Sequence, residues 1–177
     1  MTVFDNAFKV VIGEEGGFTA NEADPGNWTG GRCAIGQCNG TKYGISAGAY
    51  PSLHIGALTL DDAKAIYRRD YWNKIRGDEL PPAIALLVFD AAVNSGHSRA
   101  VRWLQTALKI VADGLLGPVT MAAAQQCAGQ GGVVLVEYQT QRLLFLTGLK
   151  TWRTFGHGWA RRVCTLQFEA LRIGGNT

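Results

Sequence analysis

Between Pro81-Pro82 and Ser95-Gly96 the chain carries Ala83 to Val93, a stretch that is apolar on nearly every side, with Asp90 as its one charged residue. A helix without a polar stripe has no face to give to water. It is predicted to lie at the centre of the fold with other helices around it. Proline suits its first turn, and Ser95-Gly96 ends it. Asp90 has two competing readings, a buried hydrogen-bonded structural acid or a residue that supports a site from behind. The 177 residues, 47% hydrophobic and 18% charged, suffice for one such core and exclude a disordered or fibrous chain.

Most of the remaining chain reads as amphipathic helix. Phe4 to Glu15 repeats apolar residues at Phe8, Val11 and Ile12, with Asp5 as N-cap and Gly16-Gly17 as the stop. Thr59 with Asp62 three residues on is a capping-box variant, opening a helix whose inner face is Ala63, Ile66, Tyr67 and Tyr71. Ser98 is predicted to cap a helix with Val101, Leu104 and Leu108 inward. Pro118 opens an Ala-rich helix to about Cys127, and Gly132 to Leu149 is long and amphipathic. The last helix is expected over Gly158 to Ile173, burying Trp159, Val163, Leu166 and Ala170 and showing Arg161, Arg162 and Arg172 outward. One region breaks the pattern. Gly26 to Gly48 holds seven glycines in 23 residues, a turn-rich segment with a short hairpin around Asn39-Gly40. The expected fold class is mainly α, with a small β-hairpin or Gly-rich lobe beside the buried central helix.

No apolar run reaches the roughly 20 residues that span a bilayer. Met1 to Val11 carries Asp5 and Asn6 and lacks the basic start of a signal peptide. The expectation is a chain made in the cytoplasm without a signal peptide or membrane span. Charge is uneven: residues 1–96 hold 8 Lys+Arg and 11 Asp+Glu, net −3, while residues 97–177 hold 9 and 3, net +6. A basic second half suits an anionic polymer or surface, with Lys150, Arg153, Arg161, Arg162 and Arg172 as the patch. No helix-turn-helix or aromatic stacking motif accompanies it, so nucleic acid is not an expected partner. Four cysteines are too few for a disulfide scaffold. Cys33 and Cys38 lie in the Gly-rich loop and Cys127 and Cys164 in apolar helical patterns, as buried thiols or with one loop-closing disulfide. A lone C-x4-C pair is a poor zinc signal, and neither a metal nor another cofactor is expected.

Phosphate-loop, zinc-protease and serine-hydrolase motifs do not occur, and His54, His97 and His157 are scattered. Carboxylates remain. Glu14-Glu15-Gly16-Gly17 is expected to place two acids in the last turn of the first helix, where partial negative charge disfavours an ionised Glu. A Glu kept protonated near neutrality is the general acid that glycoside hydrolysis requires. The adjacent glycines let a polymer approach the backbone closely. Asp24-Pro25-Gly26 offers a second carboxylate on a turn. Spacing alone leaves an alternative, in which Glu14 and Glu15 are solvated and Asp24 merely starts that turn. For a sugar site, Tyr43, Tyr50, Trp72 and Trp28 are the candidate aromatics of the first half; Tyr43 and Tyr50, in the Gly-rich segment, are preferred, whereas Tyr71 and Trp72 read rather as core.

Glu15-Gly16-Gly17-Phe18, then Asp24-Pro25-Gly26, then Thr41-Lys42-Tyr43-Gly44-Ile45-Ser46 resemble the N-terminal signature of glycoside hydrolase family 108. The likeness continues through Tyr71-Trp72, Leu80-Pro81 and Phe89 to Gly96. Leu104-Gln105, Asp113-Gly114, Gly117-Pro118 and Thr120 resemble the family's C-terminal region, a predicted peptidoglycan-binding domain. The resemblance covers about Phe8 to Arg172. It implies a lysozyme-superfamily helical fold, with residues 1–96 as the catalytic region and 97–177 as a peptidoglycan-binding-like region of the same globular unit. The implied activity is N-acetylmuramidase of the lysozyme type, cutting the β-1,4 bond between N-acetylmuramic acid and N-acetylglucosamine.

Carried over residue by residue, Glu15 matches the catalytic Glu, with Asp24 and Thr41 completing the trio and Asn94 reaching the substrate. Glu15 would protonate the glycosidic oxygen. Asp24 would orient water or stabilise the oxocarbenium-like transition state, with Thr41 bonded to that water or to the Asp. Inversion and retention both stay open. The chain departs from the family in two places. Asn27 stands where the common D-P-G-G has its second Gly, and Trp28 to Gly40 separates that motif from the threonine. Thr29 and Thr41 therefore compete for the threonine role, with spacing to Gly44-Ile45 favouring Thr41. Implied partners are peptidoglycan strands and a holin or secretion route to the periplasm, for a monomer of phage, prophage or bacterial use.

Overall fold

The computed structural model describes residues 2–13, 17–127 and 131–174. The elements are α1 (Val3–Ile12), β1 (Thr41–Lys42), β2 (Ile45–Ser46), α2 (Leu60–Tyr67), α3 (Pro82–Ser95), α4 (His97–Ala107), α5 (Pro118–Gln126), α6 (Gly131–Thr147) and α7 (Trp152–Gly174). The fold is mainly α, with one two-stranded antiparallel sheet among the described residues, as the sequence pattern predicts. Two compact units make up the chain: Met1–Ala7 with Arg69–Thr177, and Phe8–Arg68.

The first unit is built on α3. Ala83 to Ala92 are all buried along it, including Asp90, and α4, α6 and α7 pack against it. Trp72 is wholly buried, its ring 5.3 Å from that of Phe4 and 5.5 Å from that of Phe89. Its indole N–H donates to Asp78. Trp72 is therefore core, as expected. Asp90 resolves as the buried structural acid: Arg142 of α6 and Arg162 of α7 both ion-pair with it. The side chains of Asp90 and Arg142 are 0% and 3% exposed, so both charges rely on each other rather than on water.

Gln105, also buried, organises the chain between α4 and α5. Its amide donates to Asp113 Oδ1, the Leu115 carbonyl and Thr120 Oγ1, and its oxygen accepts the Gly114 N–H. The Leu115 N–H and the Gln105 amide hold the Asp113 carboxyl below its ordinary range. Gln105, Asp113-Gly114 and Thr120, scattered in sequence, are one hydrogen-bonded staple.

The second unit, residues 8–68, has a smaller apolar centre of Phe8, Val11, Ile45, Ile55, Leu58, Ile66 and Tyr67. Backbone bonds knit the rest. Thr19 and Thr41 bridge in both directions at 2.9 and 2.7 Å. Ala47 N–H donates to Gly40 and Gly48 N–H to Gly26. The Thr59–Asp62 capping box opens α2 as predicted.

Several local expectations are corrected. Thr2, not Asp5, caps α1: Asp5 Nα donates to Thr2 Oγ1 while its carboxylate accepts the Thr2 N–H. α1 ends at Ile12, where Gly13 at φ +72 sends its N–H back to Lys9, while Gly16 of the expected Gly16-Gly17 stop lies outside the described residues. The hairpin turns at Tyr43-Gly44, both with positive φ, and not at Asn39-Gly40. A Cβ on Gly44 would lie 2.6 Å from the Tyr67 hydroxyl, which donates to the Tyr43 carbonyl.

Ser98 lies inside α4, which starts after Gly96 at φ +86, and Leu108 is only half-buried beyond the helix end. α7 starts at Trp152, earlier than Gly158, because Gly156 leaves room for the helix to fold its own Trp152 ring across it. Trp159 there is half-buried rather than core. None of the four cysteines is buried or bridged.

Candidate active site

The expected acid, Glu15, lies outside the described residues, as do Glu14 and Gly16. What is described is the platform that follows them. Asp24 starts a 3-10 turn over Pro25–Asn27: its Oδ1 accepts the Gly26 N–H at 2.9 Å, the self-bonded turn that Asp-Pro-Gly favours. The carboxylate is exposed.

Asn27 closes that turn and is the one fully buried polar residue of the segment. Its Nδ2 donates to the Asn21 carbonyl at 2.9 Å, and its Oδ1 accepts the Thr41 hydroxyl at 2.7 Å. Its backbone carbonyl accepts the Gly40 N–H at 3.0 Å. Asn27 thus joins the Asp24 turn to β1. Thr41 gives its hydroxyl proton to Asn27 and not to Asp24, which leaves the hydroxyl's lone pairs as acceptors.

Thr29 is otherwise engaged. Its Oγ1 accepts the Gln37 N–H at 2.9 Å, and its own N–H donates to the Gln37 carbonyl. With the Trp28–Cys38 bridge, these bonds close the segment between the D-P-G motif and Thr41 at its base. Trp28 is half-buried and donates its indole N–H to the Glu22 carbonyl.

Tyr43 occupies the hairpin turn, half-buried, with Lys42 Nζ 5.4 Å from its ring centroid. Tyr50 follows the hairpin, also half-buried. Asp24, Thr41, Tyr43 and Tyr50 therefore all belong to the unit of residues 8–68. Asn94 belongs to the other unit. It is exposed at the end of α3, with its Nδ2 on the Asp90 carbonyl.

Sequence reasoning missed Asn27, which reads only as a departure from a Gly. Its partners lie 6 and 14 residues away, so no local pattern announces it. The expected basic patch is smaller than its five residues: Arg162 pairs with Asp90 and Arg172 with Glu169. Among the described residues, no group of three or more His, Cys, Asp or Glu side chains is placed to hold a metal. No helix there is long and apolar enough to cross a membrane.

The family model described as Glycosyl hydrolase 108 matches residues 8–96. The solved structure of Brucella abortus SagA is similar along almost the whole length, with 34% identity, a TM-score of 0.78, and coverage of 97% of this chain and 95% of that one. No match is found among curated proteins. The family span runs from inside α1, through the Asp24 turn and the Thr41 hairpin, to the end of the buried central helix. By that span, and by a likeness that continues over the helices beyond it, the chain belongs to the glycosyl hydrolase 108 family and is a glycoside hydrolase acting on peptidoglycan.

Proposed function

We propose that the protein is an N-acetylmuramidase cleaving the β-1,4 bond between N-acetylmuramic acid and N-acetylglucosamine, with Glu15 as the general acid. Glu15 protonates the departing glycosidic oxygen. Asp24 orients the attacking water or stabilises the positive charge that develops at the anomeric carbon. Thr41, whose hydroxyl proton is committed to Asn27, accepts a hydrogen bond from that water. Tyr43 and Tyr50 offer ring faces to sugar, and Asn94 a polar contact. Residues 1–96 carry the chemistry and residues 97–177 hold peptidoglycan.

The observation that supports this most is Asn27. A fully buried side chain with both its functional atoms bonded ties an exposed carboxylate's turn to a threonine 14 residues on. Preorganised polar groups of that kind lower a barrier because they need no rearrangement as charge develops.

The protein acts as a monomer on the cell wall in the periplasm, reached through a holin or a secretion route. The reading is that of a phage or prophage endolysin. The likeness to a protein of the bacterium Brucella abortus favours a second reading, a secretion-associated muramidase of a bacterial host.

Mass spectrometry of digested sacculi tests the reaction. Products with reducing-end muramic acid are expected; reducing-end glucosamine or cut stem peptides overturn it. Glu15→Gln should lower the rate at least about 100-fold, since general acid catalysis supplies roughly 10²–10⁴, while the melting temperature stays unchanged.

A further inference from the structure

A cavity of about 260 Å³ opens in the helical unit, among the end of α3, the start of α4, α6 and α7. Three guanidiniums line it, those of Arg99, Arg142 and Arg162. Asp90 pairs with both Arg142 and Arg162. One carboxylate is thus shared by two guanidiniums, and Arg99 adds a third positive charge to the same wall. Arg142 is nearly inaccessible, and its Nε and Nη1 have no hydrogen-bond partner among the described residues. A buried cation in that condition favours a nearby anion.

Arg99 is the exposed member. Its guanidinium lies 4.2 Å from the Phe145 ring centroid, and its Nη1 donates to the Ser95 carbonyl. Stacking and hydrogen bond together hold the fork in place while leaving its other edge for a ligand. Phe145, Leu149 and Trp159 give the remaining wall an apolar part, and Asn94 and Ser95 give it a polar edge. The volume is below the roughly 300–1,000 Å³ of ordinary ligand pockets, so the occupant is an anion with a short apolar part, the size of one or two amino acids.

We propose that this cavity binds the terminal carboxylate of peptidoglycan stem peptides. Arg99 meets the carboxylate, the Asp90-bound arginine pair supplies positive potential behind it, and Phe145 and Trp159 cover the alanine methyl. The proposal rests on the reading of the chain as a peptidoglycan hydrolase, which names the polymer.

The test uses the full chain and the free tetrapeptide L-alanyl-γ-D-glutamyl-meso-diaminopimelyl-D-alanine, followed by NMR and calorimetry. Saturable binding is expected, with shifts at the Trp159 indole. The peptide's C-terminal amide should bind about tenfold more weakly. Arg99→Gln should weaken the acid by a similar factor and add little to the loss caused by the amide, because both remove one contact. Arg99→Lys, keeping the charge without the fork, should fall between. Arg99 is exposed, so these variants should fold, with a melting temperature lowered by no more than the loss of its Phe145 and Ser95 contacts.

Equal affinity for acid and amide overturns the proposal, as does an unchanged Arg99→Gln or the absence of peptide binding. Inorganic phosphate binding more tightly than the peptide also overturns it, marking a phosphate site instead. The free peptide has no glycosidic bond. Failure of the Glu15 assignment therefore leaves this outcome untouched, and failure here leaves glycan cleavage untouched.

Discussion

The helices around α3 and the Gly-rich segment of residues 8–68 reach order by different means. Around α3, side chains do the work: Ala83 to Ala92 are buried in sequence, and the charges that intrude, Asp90 and Arg142, neutralise one another. In the Gly-rich segment the backbone does it. Thr19 pairs with Thr41, Gly40 with Asn27 and Gly48 with Gly26, while much of the intervening surface stays exposed. A core can be packed by any residues of suitable shape. A lattice of backbone bonds depends on a few residues that hold its crossings. The exposed acid at Asp24 sits on the second kind of scaffold, where position is fixed without covering the site.

That contrast breaks most severely at Asp90. Asp90→Ala leaves Arg142 buried without a counter-charge and should cost about 3–5 kcal/mol in urea unfolding. A loss under 1 kcal/mol would mean that the ion cluster is incidental to the helical core. Asn27→Ala strikes the other scaffold. It removes the Asn21 and Thr41 bonds, and a cost of about 1–3 kcal/mol is expected. Amide exchange should rise at Thr41 and Gly40 but not along α3, and turnover should fall at least tenfold by order of magnitude.

Gly44→Ala forces a side chain into positive φ and against the Tyr67 hydroxyl. It should cost about 1–2 kcal/mol, read as loosening of the hairpin amides. Thr59→Ala has the smallest effect. Loss of the cap should lower the melting temperature by a few degrees. The Thr59 hydroxyl and N–H hold the Asp62 carboxyl below its ordinary range. The stabilisation this brings is complete above the unfolded carboxylate value and disappears as pH falls through the folded one. In Thr59→Ala that acid limb should flatten, and an NMR titration should show Asp62 moving up.

Legibility in the sequence followed the same divide. The buried helix, the Pro81-Pro82 start and the Thr59–Asp62 cap were readable because each depends on residues within a turn or two. Boundaries that depend on backbone angle were not. Gly13 follows the last residue of α1 and Tyr43-Gly44 turns the hairpin, yet Asn39-Gly40 advertises the same turn. Gly156 reads as a breaker until the Trp152 ring is seen across it. Asp24 and Thr41 are singled out by their motifs, but the residue that joins the Asp24 turn to Thr41 is not. Asn27 acts through partners that only folding brings near, and so do Arg142 and Arg162, which look like surface charge on amphipathic helices.

The segment from Trp28 to Cys38 leaves and re-enters the lobe at a single crossing. A chain tethered so can be lengthened, trimmed or replaced without tugging on what lies either side. The distance along the sequence between the aspartate and the threonine is thus free to drift while their separation in space is not. Spacing between motifs is a poor ruler for this lobe, and a graft of foreign sequence into residues 31–35 is where the protein should best accept new function.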